Sequence, residues 1–204
     1  MTTTANTAPR PYHHGDLRRA LLDAAITIIE RDGANAMTLR AVAREAGVSP
    51  AAPYHHFKDK GDLLHDVAKE GFRQLYQAMA AASDPQSRSI AYVEFAHEHP
   101  ALYRVMYDCA RNMERLPTSV EVLDASAQLM RQALIDASAG DMHELDLALT
   151  AIAAWSAAHG LAEMSLFSQF QPLKDAMGGE RPFLKALFDR LLCTRANGEA
   201  PPSA

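Results

Sequence analysis

Between Ser49 and Lys60 the chain reads SPAAPYHHFKDK, and these side chains are of the types that meet nucleic acid. Ala51 and Ala52, behind Pro50, are small enough for close approach to a groove floor and can touch thymine methyl groups. Tyr54 and His55 end in hydrogen-bonding groups suited to a phosphate or a base edge. Lys58 and Lys60 follow at once and can hold the strand beyond, a contact that sets register rather than sequence preference. Upstream, Thr38 heads the segment LRAVARE, where its hydroxyl and the first backbone N–H groups of a helix can receive a phosphate, and Arg40 adds a cation. The chemistry these residues offer is recognition, not bond-making.

Such side chains work only if rigid elements aim them. Asp16 to Asp32 is expected to be a helix, with Leu17, Leu21, Ala24, Ala25, Ile28 and Ile29 on one stripe, Asp16 as N-cap and Gly33 as the stop. Thr38 caps a second helix with Leu39, Val42, Ala43 and Ala46 inward, ended by Gly47, where a positive φ is cheapest for glycine. Val48 then plugs the core. Ser49 is expected to cap a third, short helix with Pro50 at its first position, while Pro53 should forfeit one helical bond and crowd the Ser49 carbonyl. Phe57 anchors the unit, and Asp59 to about Ser83 reads as a fourth helix burying Leu63, Leu64, Val67, Phe72, Leu75 and Met79. Two helices around a sharp turn, the second placed to enter a major groove, form a helix-turn-helix.

Beyond Ser83-Asp84-Pro85 the pattern stays helical: Gln86–His97, Pro100–Cys109, Pro117–Ala139, His143–Phe170 and Arg181–Thr194, separated by Pro, Gly and Asp breaks. No alternating run of strand type occurs. The fold class is all-α, with about nine helices: an N-terminal three-helix helix-turn-helix domain and a larger helical domain. The expected division is an arm at 1–12, the helix-turn-helix domain at 13–60, a connecting helix at 61–83, a second helical domain at 84–196, to which the family resemblance given below assigns effector binding and dimerisation, and a tail at 197–204.

The net charge of −5 hides an asymmetry. Residues 1–60 hold eight Lys/Arg against six Asp/Glu, and the rest twelve against nineteen, so a basic head precedes an acidic body. The two cysteines, Cys109 and Cys193, form no metal-type pair. They read as thiols of a reduced, cytoplasmic setting. The N-terminus lacks the apolar stretch of a secretory signal, and no apolar run is long enough for a membrane span. His97-Glu98-His99 has metal-ligand residue types, but adjacent helical positions point apart; no metal and no cofactor are expected. An enzyme in the helical body is a competing class, yet no nucleophile elbow, phosphate loop or metal spacing supports it, and Glu94 and Glu98 read as a solvated face. A dimeric protein-binding scaffold is the other competitor.

Residues 13–64 resemble the DNA-binding domain of the TetR family of bacterial transcriptional regulators. The resemblance is carried by the helix ending at Gly33, Thr38-Leu39-Arg40, Ala46-Gly47-Val48-Ser49, Tyr54-His55-His56-Phe57 and Lys58-Asp59-Lys60 before Asp62-Leu63-Leu64. It implies a two-fold dimer on a palindromic operator, usually as a repressor, with a helical domain that senses a small effector. It also places Thr38, Ser49, Ala51, Ala52, Tyr54, His55 and Lys60 at DNA-contact positions. Many members carry Thr-Leu before the tyrosine where this chain has Ala52-Pro53, so a hydroxyl contact is absent and no operator preference carries over.

Downstream, Trp155 and His159 share a helical face and Gly160 allows a close neighbour, which resembles a tryptophan-histidine-glycine signature of one C-terminal subgroup. Tyr92, Phe95, Tyr103, Met106, Tyr107, Met130, Trp155 and His159 are candidates to line a pocket for an apolar or flat effector. In the family the last two helices usually pair with their symmetry mates as a four-helix bundle, which marks Gly160, Phe167, Phe183, Leu184, Leu187, Phe188 and Leu191 as a dimer face.

Overall fold

The computed structural model describes residues 14–112 and 143–193. Among the described residues there are eight α-helices and no strand. The helix expected over Pro117–Ala139, with Met130 in it, lies outside them, as do the expected arm and tail. The chain divides into two compact units, Met1–Val67 and Ala68–Ala204. The division falls inside one helix, not at residue 60 or at Ser83-Asp84-Pro85. Leu63 and Val67 are buried on one side of it, and Phe72, Leu75 and Met79 on the other.

In the first unit, α1 (His14–Asp32) starts two residues before the expected cap. Asp16 therefore lies inside the helix rather than at its cap. Its buried stripe is Leu21, Ala24, Ala25, Ile28 and Ile29. Gly33 ends it at φ +84, its N–H donating to the Ile29 carbonyl at 2.9 Å. Next, α2 (Leu39–Glu45) is capped by Thr38, whose Oγ1 accepts from the Ala41 N–H at 3.1 Å. It closes in a Schellman arrangement. Gly47 at φ +68 donates to the Arg44 carbonyl at 3.2 Å, and Val48 to that of Ala43 at 2.9 Å. Two salt links tie α1 to its neighbours in this unit. Arg31 of α1 reaches Glu45 of α2 at 3.1 and 3.3 Å, and Arg18 pairs with Asp66 while its guanidinium lies 5.5 Å from the Phe57 ring centre.

The third helix differs from expectation. Ser49 opens a turn, its carbonyl accepting from Ala52 N at 3.0 Å, and Ala52–His55 is a 3-10 helix rather than an α-helix. Pro53 explains this. It has no N–H to return to Ser49, so the segment tightens onto i→i+3 bonds (Tyr54 to Ala51 at 3.2 Å, His56 to Pro53 at 3.0 Å), and its ring is buried. Asp59 then starts α3 (Lys60–Ala80), its Oδ1 accepting from Asp62 N at 2.9 Å while Asp62 Oδ2 accepts from Lys58 N at 3.0 Å.

In the second unit, α4 (Pro85–Glu98) is central, packing on α6 (Glu144–Met164) and α8 (Glu180–Cys193). Asp84 caps it through a 2.9 Å bond from Ser87 N, with Pro85 at the first position. From α3, Gly71 lets α5 (Pro100–Asn112) approach. A Cβ there would stand 2.6 Å from Met106 Sδ and 2.7 Å from its Cγ. The helix expected to run from His143 to Phe170 stops at Met164, followed by a 3-10 turn (Ser168–Phe170) and α7 (Gln171–Ala176). Pro172 cannot donate back to Ser168, so continuous helix is excluded there. Glu94, expected on a solvated face, instead pairs with Arg181 at 2.6 and 2.7 Å and ties α4 to α8.

Candidate nucleic-acid interface and effector site

The geometry of the head follows from its caps. Thr38 accepts from Ala41 with a lone pair, which leaves its hydroxyl hydrogen available for a phosphate, beside the N–H groups that open α2. Thr38, Arg40, Ser49, Pro50, Ala51, Tyr54, His55 and Lys58 are all exposed, Tyr54 by 56%, although an aromatic ring gains by burial. Ala52 is half-buried. The side chains of Arg40, Arg44 and Lys58 have no partner among the described residues. Arg44 is missing from the sequence-based set. It lies four residues after Arg40, on the same face of α2, and that spacing alone marks it.

Lys60 is placed differently from expectation. Its Nζ donates to the Ala34 carbonyl at 2.9 Å and is half-buried. The turn after α1 leaves that carbonyl unpaired by helix bonds, and the ammonium satisfies it. In this state Lys60 braces the head rather than reaching outward.

In the second unit, four of the expected pocket residues come together in one hydrogen-bonded cluster. Tyr92 Oη of α4 lies 2.6 Å from Tyr107 Oη and 3.1 Å from Tyr103 Oη of α5, and 3.0 Å from His159 Nδ1 of α6. Tyr103 Oη is 2.7 Å from the same Nδ1. The Trp155 ring lies 6.2 Å from the His159 ring, centre to centre. Each of the three hydroxyls can donate or accept, and the role of Nδ1 follows the tautomer of the His159 ring. Burial pushes all three phenols above the usual tyrosine range, with the neighbouring tyrosines adding to it at Tyr92, so they stay protonated donors. Trp155 is 44% exposed and forms the outer edge of the cluster. Phe95 and Met106 are buried core beside it. His97 and His99 do not converge: the His99 ring packs at a tilt against Phe95, centres 4.9 Å apart, and His97 turns toward α6 and α8.

The expected dimer face divides. Phe183, Leu184 and Phe188 are 4%, 0% and 0% exposed, so they hold α8 within its own unit and present nothing to a partner. An apolar stripe reads the same whether it faces a core or a second chain. Phe167 and Leu191 are exposed, Leu187 and Gly160 are half-buried, and a Cβ at Gly160 would meet nothing within 4 Å. Sequence reading missed a second stripe, Leu145, Leu149 and Ile152, exposed on α6 by 62%, 49% and 58%. With Ser156 and Gly160 it runs along one helical face.

Comparisons with known proteins bear on both units. Residues 21–67 match the profile described as bacterial regulatory proteins, tetR family, and residues 86–192, more than half the chain, match that of a tetracyclin repressor-like C-terminal domain. An HTH-type transcriptional regulator, BetI, of Rhizobium meliloti (strain 1021) is 34% identical over 110 residues, 48% of this chain and 54% of its own length. The nicotine-responsive transcriptional repressor HdnoR of Paenarthrobacter nicotinovorans is 38% identical over 79 residues, 38% of this chain and 41% of its own. The chain thus spans about half the length, or less, of these curated relatives. A solved protein of unknown function from Rhodococcus sp. RHA1 superposes with a TM-score of 0.72 at 34% identity, covering 91% of this chain and 98% of that one. A regulatory protein in the tetR family from Rhodococcus RHA1 superposes at 0.62, with 23% identity over 91% of this chain and 98% of its own.

Proposed function

The chain belongs to the TetR family of bacterial regulatory proteins, and on that premise we propose that it is a ligand-responsive transcriptional regulator, a cytoplasmic repressor that binds a palindromic operator as a homodimer. The observation that carries this reading is the head. A capped α2, a Schellman turn at Gly47 and a segment exposing Ser49, Pro50, Ala51, Tyr54, His55 and Lys58 leave Arg40, Arg44 and Lys58 without partners among the described residues. Unspent cations beside small and hydrogen-bonding groups suit a groove and its phosphates.

The dimer contact in this reading is the exposed α6 stripe of Leu145, Leu149 and Ile152, joined by Leu187 and Leu191 of α8. The effector is a small aromatic or mainly apolar molecule that engages the edge of the tyrosine–histidine cluster at Trp155. A relative whose name describes it as nicotine-responsive supports control by a small molecule. Because Trp155 is the single tryptophan of the chain, its emission reports on that site directly.

A gel-shift titration on the DNA upstream of the protein's own gene tests the reading. A specific complex whose affinity falls steeply with salt is expected. No complex at low salt overturns DNA recognition. A compound that changes Trp155 emission but leaves the complex intact overturns the effector part, since a ligand shifts an equilibrium only through different affinities for its two states.

A further inference from the structure

Pro50 and Pro53 stand three residues apart in the segment proposed to enter the groove, and neither has an N–H. If Ser49 capped an α-helix, Pro50, Ala51 and Ala52 would fill its first three positions, whose N–H groups have no helical acceptor. The first α-type bond would then belong to residue 53, which is proline and cannot make it. The α register is denied at its first bond. The chain closes i→i+3 bonds instead: Ala52 N–H to the Ser49 carbonyl at 3.0 Å, Tyr54 to Ala51 at 3.2 Å and His56 to Pro53 at 3.0 Å. A bond of α spacing returns at Phe57, whose N–H reaches the Pro53 carbonyl at 2.9 Å. Pro53 and Phe57 are both buried, which anchors the turn on the core of the head.

The register decides which side chains share a face. A 3-10 helix turns by about 120° per residue, so positions three apart eclipse, whereas an α-helix turns by about 100°. Ala51 has helical torsions, φ −85 and ψ −22, and so belongs to the same ridge system. In the 3-10 form Tyr54 stands directly over Ala51, and His55 lies about 120° round, on the ridge of Ala52. In an α form Tyr54 and His55 would flank Ala51, about 60° to one side and about 40° to the other. Exposure agrees with the 3-10 pattern. Ala51 and Tyr54 are both exposed, Pro53 is buried, and Ala52 is half-buried on the ridge that His55 continues.

We propose that Pro53 is a positioning residue for sequence recognition: by holding this segment in the 3-10 register it makes Ala51 and Tyr54 the one ridge that reads bases and keeps His55 off it. The proposal rests on the DNA-binding reading of the head. On that ridge Ala51 offers a methyl group to a thymine methyl, and the Tyr54 hydroxyl a hydrogen bond. His55, on the flank, meets the phosphate backbone, a contact that positions the head and carries no sequence information. Without the proline the α register becomes available. His55 then turns by about 80°, the difference between the two registers, toward Ala51 and the base edges.

The test uses the full chain and the duplex from upstream of its own gene, with every base pair of a half-site varied in turn. Pro53→Leu keeps the position apolar and supplies the missing N–H. A crystal structure of Pro53→Leu is expected to show the amide at position 53 bonded to the Ser49 carbonyl; a retained i→i+3 pattern overturns the proposal. In solution Pro53→Leu is expected to change the base preference at one or two positions of the half-site by about fivefold or more. Adding His55→Ala should cancel that change, whereas His55→Ala in the wild-type background should weaken all duplexes alike. A new preference that survives His55→Ala overturns the proposal. So does a loss of affinity equal on every duplex, the result of a merely structural role. If Pro53→Leu does not fold, Pro53→Ala serves in both measurements. A wild-type chain that shifts no duplex sinks DNA binding itself, and the role of Pro53 with it. An unaltered preference of Pro53→Leu on a duplex that the wild type binds sinks only the role of Pro53.

Discussion

In the first unit Arg40, Arg44 and Lys58 stand in solvent without a partner among the described residues, whereas in the second Glu94, Lys174, Glu180 and Tyr92 are each committed to a bond with another helix. Both units use polar side chains, but to opposite ends. A group that must bind something from outside has to keep its hydrogen-bonding capacity unspent. A buried group has to spend it, because an unpaired donor or acceptor inside a fold costs about 1–3 kcal/mol. Substitution should therefore change recognition in the first unit and stability in the second. The largest expected effect tests the first half of that statement. Ala51→Glu puts a carboxylate where the reading has a DNA groove, and like charges brought together cost several kcal/mol, so operator affinity should fall on the order of 100-fold or more. The unfolding midpoint should barely move, since Ala51 is exposed. Undiminished binding in an anisotropy titration would mean that Ala51 does not face DNA.

The second half is tested at Tyr92. Tyr92→Phe keeps the ring and removes the hydroxyl that shares a 2.6 Å hydrogen bond with Tyr107, so a largely buried phenol loses its partner. A destabilisation of about 1–3 kcal/mol is expected, read as a lower midpoint in thermal unfolding. A midpoint equal to wild type would show that water replaces the lost hydroxyl and that the cluster is open rather than spent.

Asp84 gives a smaller effect with a defined pH signature. As N-cap of α4 it should contribute about 0.5–2 kcal/mol relative to alanine. Its carboxyl is held below the usual range, chiefly by the Ser87 backbone N–H. A lowered folded-state value means that the stabilisation is complete above the ordinary aspartate range, near 3.9, and is lost as pH falls through the folded-state value. The gap in midpoint between wild type and Asp84→Ala should thus be full at pH 6 and close in strong acid. A gap that widens in acid would contradict the cap.

How much of this was readable beforehand depends on the range of the interaction. Thr38, Gly33 and Gly47 work through bonds within a few residues of themselves, and the sequence reading located each of them. The Pro53 penalty was readable too, but not its resolution into a 3-10 helix with a buried ring, which depends on packing. That Phe183, Leu184 and Phe188 are buried within their own unit was not readable, for a plainer reason. Phe183, Leu184 and Phe188 form an apolar stripe, and so do Leu145, Leu149 and Ile152; periodicity does not say which stripe folds against its own chain. The pairs Glu94–Arg181 and His97–Glu180 join residues more than eighty positions apart, and no local pattern encodes them.

Lys58 and Lys60 bring the comparison inside a single unit. Both are lysines two positions apart in a basic stretch, and from sequence both are phosphate clamps. Lys58 has no side-chain partner among the described residues, while Lys60 donates to Ala34 at 2.9 Å. If unspent capacity marks recognition, the two should part company. Lys58→Met should weaken binding on every DNA sequence by about threefold to tenfold and lower the salt slope by about 1, with the unfolding midpoint unchanged. Lys60→Met should cost about 0.5–1.5 kcal/mol of stability through the lost bond to the Ala34 carbonyl, with the salt slope of the folded protein unaltered. If instead Lys60→Met lowers the slope as Lys58→Met does, the ammonium leaves Ala34 on meeting DNA, and the distinction between braced and free cations holds only for the unbound head.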